Sequence, residues 1–97
     1  MDTIAPIPTL TITNVLVFPV REPSGKLLAI ARVLLGGQLQ LADLRLYGGP
    51  NGPFVSYPSS NAVAREDAHQ VVYPVTRDLR TAIELAVIAE YHLAMAR

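Results

Sequence analysis

Residues 41–59, LADLRLYGGPNGPFVSYPS, constrain the fold more than any other stretch of this chain. An apolar–charged alternation runs from Ala42 to Tyr47, is broken by Gly48, Gly49, Pro50, Asn51 and Gly52, and restarts at Phe54 before Pro58 stops it. Period-two alternation marks a strand with one buried face. Gly and Asn tolerate positive φ, and Pro cannot extend a hydrogen-bonded ladder, so the break is a chain reversal. The stretch therefore reads as strand, turn, strand.

The third strand, 38–47, contains an irregularity. Leu39 and Leu41 share parity with Asp43 and Arg45, whereas Gln38 and Gln40 share parity with Ala42, Leu44 and Leu46. The apolar face changes sides near Leu41. One extra residue would restore a single buried face, so a bulge or sharp twist is predicted at residues 41–43.

Upstream, residues 1–9 hold Pro6 and Pro8 and read as an extended arm preceding a single domain over 10–97. Residues 10–20 are rich in β-branched side chains and form the first predicted strand. Ile12, Leu16, Phe18 and Val20 would share one face, interrupted by Asn14, and Pro19 suggests an edge position or a bulge. Residues 21–26 are a turn. The second strand, 27–35, is apolar on both faces apart from Arg32, a pattern usually covered on both sides. Gly36 and Gly37 then give a two-residue hairpin signal.

Downstream, the fourth strand spans 53–57, a polar loop follows over 58–68, and residues 69–75 are predicted as a short fifth strand. Thr76 is a candidate N-cap and Asp78 suits the first turn of a helix from Arg77 to about Ala94. Leu79, Ile83, Ala86, Val87 and Tyr91 make one apolar stripe. Leu85, Ile88, Ala89 and Leu93 make a second, which predicts contact with a second subunit as well as with the sheet. The fold class is α+β: an antiparallel sheet of about five strands with one C-terminal helix packed on it.

Composition narrows the function. The chain has 97 residues and no cysteine, which removes disulfides, thiolate metal sites and a Cys nucleophile, and fits a reducing cytoplasm. Apolar residues make up 51% and charged residues only 16%, a balance that favours self-association in a domain this small. No apolar run approaches the length of a membrane span. His69 and His92 are far apart, with no carboxylate at ligand spacing. No G-x-S-x-G elbow and no phosphate-cradling glycine motif is present. Neither catalysis nor a bound cofactor or metal is expected. Formal net charge is zero, so contact with nucleic acid requires a local patch. The candidates are Arg65 in the loop and Arg77 and Arg80 at the helix start, where backbone amides also favour phosphate; Arg21 and Lys26 are weaker. Glu66, Asp67 and Asp78 stand beside them. Asp43 and Arg45 alternate on one strand face and read as part of a cross-strand pair network.

The same stretch carries a resemblance. Asp43, Arg45, Gly49, Asn51, Gly52, Phe54, Val55, Pro58 and Ser59 match, in unbroken register, the signature region of the stage V sporulation protein G (SpoVG, septation protein) family. Tyr73, Pro74 and Val75 resemble its proline-ended strand, and Ile83, Ala86, Val87, Glu90, Tyr91 and His92 its C-terminal helix, so that the likeness runs from about Leu10 to His92. The resemblance implies a small dimeric cytoplasmic regulator that binds DNA or RNA and affects septation, cell division and sporulation. It also implies a basic pair directly after the Pro-Ser that ends the signature. Here those positions are Ser60 and Asn61, both uncharged. Two functions are therefore set against each other: a nucleic-acid-binding regulator whose charge comes from Arg65, Arg77 and Arg80, and a dimeric protein-interaction module of the same fold that has lost nucleic-acid binding.

Overall fold

The computed structural model describes residues 10–20, 25–59 and 71–97. The arm at 1–9 and most of the predicted 58–68 loop lie outside them, as do Arg21 and Arg65. Four strands form one antiparallel sheet in the order β1 (Ile12–Pro19), β2 (Leu27–Leu35), β3 (Leu39–Gly49), β4 (Gly52–Ser56). One helix among the described residues, α1 (Arg77–Ala96), packs on it, mainly along β1. Pro19 ends an edge strand, where its missing N–H costs no ladder bond.

Among the described residues the sheet has four strands where about five were expected, and residues 69 and 70 of the predicted fifth strand lie outside them. Residues 71–75 of the predicted fifth strand are not in a strand. The Val71 N–H donates to the Pro58 carbonyl at 2.7 Å. Pro58 cannot donate to a ladder and Pro74 removes a donor on the other side, so a ladder does not extend along this segment.

The bulge predicted at 41–43 is present. Val33 pairs with Leu41 and Ala31 with Leu44, so β3 spends one more residue than β2 between these pairs. Asp43 takes φ of 61°, the left-handed region that Asp and Asn enter more readily than other L-residues. The slip keeps Leu41, Leu44 and Leu46 all buried on one face. At the β2–β3 turn, Gly36 and Gly37 have φ of 58° and 67°, and Gln38 N–H donates to the Leu35 carbonyl. Two successive positive φ values fit a type I′ turn, but Leu35 pairs with Leu39, so the loop is three residues long, 36–38, and not the two expected.

β1 departs from its expected face. Ile12 pairs with Leu35 and Asn14 with Leu34, so Thr13 is an extra residue and parity flips there. The Thr13 hydroxyl donates to the Leu34 carbonyl and accepts from Gly37 N–H, which satisfies the bulge locally. As a result Ile12, Val15 and Val17 pack on the core, while Leu16 and Phe18 point to the opposite face. A third irregularity, between the pairs Leu27–Tyr47 and Ala29–Leu46, turns Leu28 towards the core.

The core lies between the sheet and α1. Ala29, Ala31, Val33, Leu44, Leu46, Ile83 and Val87 are fully excluded from solvent. Each of the larger aliphatics among them contributes on the order of 2 kcal/mol by burial. Thr76 caps the helix: its side-chain oxygen accepts from Leu79 N–H at 3.2 Å, with Asp78 in the first turn. Of the predicted inner stripe, Leu79, Ile83, Val87 and Tyr91 pack on the core and Ala86 is half-buried; of the second stripe, Ile88 also packs on the core, whereas Leu85, Ala89 and Leu93 are exposed. The two-sided cover expected for β2 is not seen among the described residues: Ile30 and Leu34 are half-buried and Arg32 is exposed.

Candidate nucleic-acid interface

The sheet face turned away from α1 is ordered by strand register. One row crosses all four strands: Phe18 opposite Ile30, Ile30 opposite Arg45, Arg45 opposite Ser56. A neighbouring row holds Leu27, Tyr47 and Phe54, and the next holds Leu16 and Arg32. An antiparallel sheet with one solvated face normally presents polar residues there. This one presents rings. Phe18 is 49% exposed and Phe54 45%. The Tyr47 and Phe54 rings stack with centroids 5.8 Å apart and an interplanar angle of 27°. The Arg32 guanidinium lies over the Phe18 ring, 5.5 Å from its centroid.

A groove of about 250 Å³ opens at the β3–β4 end of this face, lined by Asp43, Arg45, Tyr47, Ser56, Tyr57, Pro58 and Ser59. Asp43 and Arg45 approach to 3.8 Å across the bulge, and both side chains are at least half exposed. Screened by water, such a pair is weak and leaves the guanidinium available to another anion. The expected cross-strand network is thus a contact within one strand. The groove ends at Ser59, whose hydroxyl donates to the Tyr57 carbonyl. The next two positions are those where the resemblance would have placed a basic pair.

The sequence candidates sit elsewhere. Arg77 is exposed on the first turn of α1. Arg80, one turn later, is half-buried: its Nη2 donates to the Pro74 carbonyl at 3.3 Å, and its guanidinium lies 5.3 Å from the Tyr57 ring centroid. One of its five N–H donors is thereby committed and one face of its plane is covered. Lys26 is exposed, and Arg65 and Arg21 lie outside the described residues. Burial pushes the Tyr57 phenol above its ordinary pKa; the Arg80 guanidinium pulls it down and Glu84 pushes it up. Sequence reasoning passed over Phe18, Arg32, Tyr47 and Phe54 as one surface. No sequence pattern marks these residues as a set, because only β3 carries both an arginine and an aromatic, and the Thr13 bulge decides which face Phe18 takes.

Among the described residues, no group of three His, Asp or Glu side chains is arranged to hold a metal ion, and no helix is long and apolar enough to cross a membrane.

Comparison with known proteins bears on the same region. The SpoVG family model matches residues 10–93. A septation protein SpoVG 2 of Listeria monocytogenes is 36% identical over 70 residues, covering 72% of this chain and 68% of its own. A septation protein SpoVG of Priestia megaterium is 37% identical over 68 residues, covering 70% of each. That of Symbiobacterium thermophilum is 40% identical over 75 residues, 75% of this chain and 51% of its own. The matched span takes in every strand, the bulge, the groove and nearly all of α1, so the likeness is one of the whole described domain, and the chain belongs to the SpoVG family.

Proposed function

We propose that this chain is a SpoVG-type regulatory protein that binds DNA or RNA through phosphate contacts, acts in the cytoplasm, and is linked to septation and sporulation. The observation that carries the reading is the Arg45 groove. It sets an exposed guanidinium beside the hydroxyl-bearing Ser56 and Ser59 at the end of the signature stretch, next to the positions at which the family resemblance implies a basic pair. Arg suits this task because its planar fork contacts phosphate oxygens in pairs. Arg77 and Arg65 add charge, and Arg80 adds to it with the donors that Pro74 leaves free.

The chain is proposed to work as a homodimer through the outer side of α1. Ala82, Leu85, Ala89, His92 and Ala96 follow one another at alternating spacings of three and four, all are exposed, and none carries a formal charge with His neutral. That is the spacing of a helix–helix seam. A second reading, a dimeric protein-interaction module without nucleic-acid binding, is favoured by the zero net charge. Titration of a labelled oligonucleotide at two salt concentrations separates the two. Saturable binding that weakens with salt and falls on Arg45→Ala supports the first, because each lost phosphate contact removes about one unit of salt slope. No binding at low salt leaves only the second.

A further inference from the structure

We propose that the sheet face opposite α1 is a stacking platform for single-stranded nucleic acid, with bases lying on Phe18 and on the Tyr47–Phe54 pair and phosphates held by Arg32 and Arg45. The inference rests on the nucleic-acid reading above and narrows it to one surface and one strandedness.

Three observations support it. First, the rings are offered rather than buried. Phe18 and Phe54 keep about half their surface in water, on the side of the sheet that the helix leaves open. Phe54 is also held in place from below: a Cβ at Gly49 would come within 3.0 Å of its Cε1, so the ring lies directly against glycine backbone. Single-strand binders use such rings because every base has a π-face, whatever its sequence.

Second, the cations are interleaved with the rings. Arg32 lies over the Phe18 ring, from which its guanidinium swings aside to a phosphate when a base takes its place, and Arg45 occupies the row next to Tyr47 and Phe54. Asp43, already beside Arg45, is the acidic side chain of this face among the described residues, so the two arginines leave it net positive. This suits a polyanion. It suits a second copy of the chain poorly, since a two-fold contact would bring four arginines together against two carboxylates, whereas the outer side of α1 offers an apolar surface without that cost.

Third, the shape selects single strands. Four strands spaced about 4.8 Å apart span roughly 14 Å between the outer strand axes. That is wider than the roughly 12 Å major groove of B-form DNA, which admits one helix or a two-stranded ribbon. α1, the element that would fit a groove, has its inner side against the core. Rings set in two neighbouring rows of a sheet face need bases that are already splayed.

The test uses the full chain, fluorescence anisotropy, labelled oligothymidine and oligouridine, and a duplex of equal length. Phe18→Leu and Phe54→Leu keep apolar volume and remove the π-face. Each is expected to weaken single-strand binding about tenfold, with thermal midpoint and mass by light scattering unchanged, and the duplex is expected to bind more weakly than the single strands. Wild-type binding that both leucine variants retain in full, or equal affinity for the duplex, overturns the platform and leaves the nucleic-acid reading standing. Conversion of a dimer to a monomer by Arg32→Glu would assign this face to a second copy and also overturn it. Failure of the wild-type chain to bind any oligonucleotide at low salt removes both the platform and the reading it rests on.

Discussion

The Arg80 guanidinium lies 5.3 Å from the centre of the Tyr57 ring while its Nη2 donates to the Pro74 carbonyl. One side chain at the start of α1 thus ties together the residue that follows β4 and the segment that leads into the helix. Tyr57 is 2% exposed, so the cation–π contact is partly desolvated and stronger than at an open site. Arg80→Ala is expected to lower unfolding stability by about 1–2 kcal/mol, whereas Arg77→Ala, on an exposed position of the same helix, should stay within about 0.5 kcal/mol. Urea denaturation of the two variants checks this. It also fixes how any binding defect of Arg80→Ala is read, because part of it would come from folding.

Tyr57 itself should make the protein sensitive to alkali. Burial raises its pKa more than Arg80 lowers it. The fold thus favours the protonated phenol, and the folded-state pKa stands above the unfolded one. For a raised pKa the contribution is complete below the unfolded value, about 10 for Tyr, and is lost as pH climbs through the folded value. Its hydroxyl has no hydrogen-bond partner among the described residues, so Tyr57→Phe leaves nothing newly unsatisfied. The variant should match or exceed the wild type by up to about 1 kcal/mol near neutral pH and lose less stability above pH about 10. Urea midpoints at neutral and strongly alkaline pH, compared for both proteins, give the difference; a steeper alkaline loss in Tyr57→Phe would contradict it.

These two residues also show what could be read from the sequence. Thr76, Asp78 and the inner stripe of α1 follow local rules, and the structure keeps them. The bulge in β3 was legible because two apolar runs of opposite parity abut at Leu41 and Ala42. The bulge at Thr13 was not, since Ile12, Leu16 and Phe18 keep one parity and Asn14 looked like a mere interruption; only the pairing with Leu34 and Leu35 exposes the extra residue. The fifth strand failed because Val71, Val72, Tyr73 and Val75 have strand-forming side chains but prolines on both sides of the required ladder. Arg80 read as a surface cation because its partners, Tyr57 and Pro74, are brought to it by the fold. The platform is less visible still, as it depends on which sheet face the helix covers.

The left-handed backbone at Asp43 predicts an ordered substitution series. At φ of 61° a Gly is unstrained and an Asn is nearly as well placed as Asp, but a β-branched residue is not. Asp43→Gly and Asp43→Asn should retain stability within about 1 kcal/mol, and Asp43→Val should lose about 1–3 kcal/mol. Because the bulge keeps Leu41 and Leu44 on one face, the Val variant should also speed amide exchange in β3. Equal stability across the series would mean that the bulge is not strained.

Gly49 is held by contact and not by φ. An added methyl would meet the Phe54 ring at 3.0 Å and the Gly52 carbonyl at 3.1 Å. The ring can swing away but the carbonyl cannot without opening the turn. Gly49→Ala should cost about 1–3 kcal/mol, the usual range for overpacking, and should separate Phe54 from Tyr47. The shift of the Phe54 ring resonances by NMR reads the second effect, and unchanged resonances with unchanged stability would refute both.

The last expectation concerns the outer side of α1. Leu85 is 63% exposed and Leu93 56%, separated by two helical turns with Ala89 between them. In an isolated chain, lysine at either position would be solvated and cost less than about 0.5 kcal/mol. Across a two-fold helix seam the same substitutions bury ammonium groups and place like charges opposite one another, which disfavours association by several kcal/mol. Leu85→Lys combined with Leu93→Lys should therefore halve the mass measured by light scattering at micromolar concentration. The thermal midpoint, which rises with protein concentration for a dimer, should become independent of it in the variant. A wild-type chain that is already monomeric at that concentration, with a midpoint that does not move on dilution, would leave the outer stripe of α1 without a second copy to cover it and would remove the dimer from the proposed function.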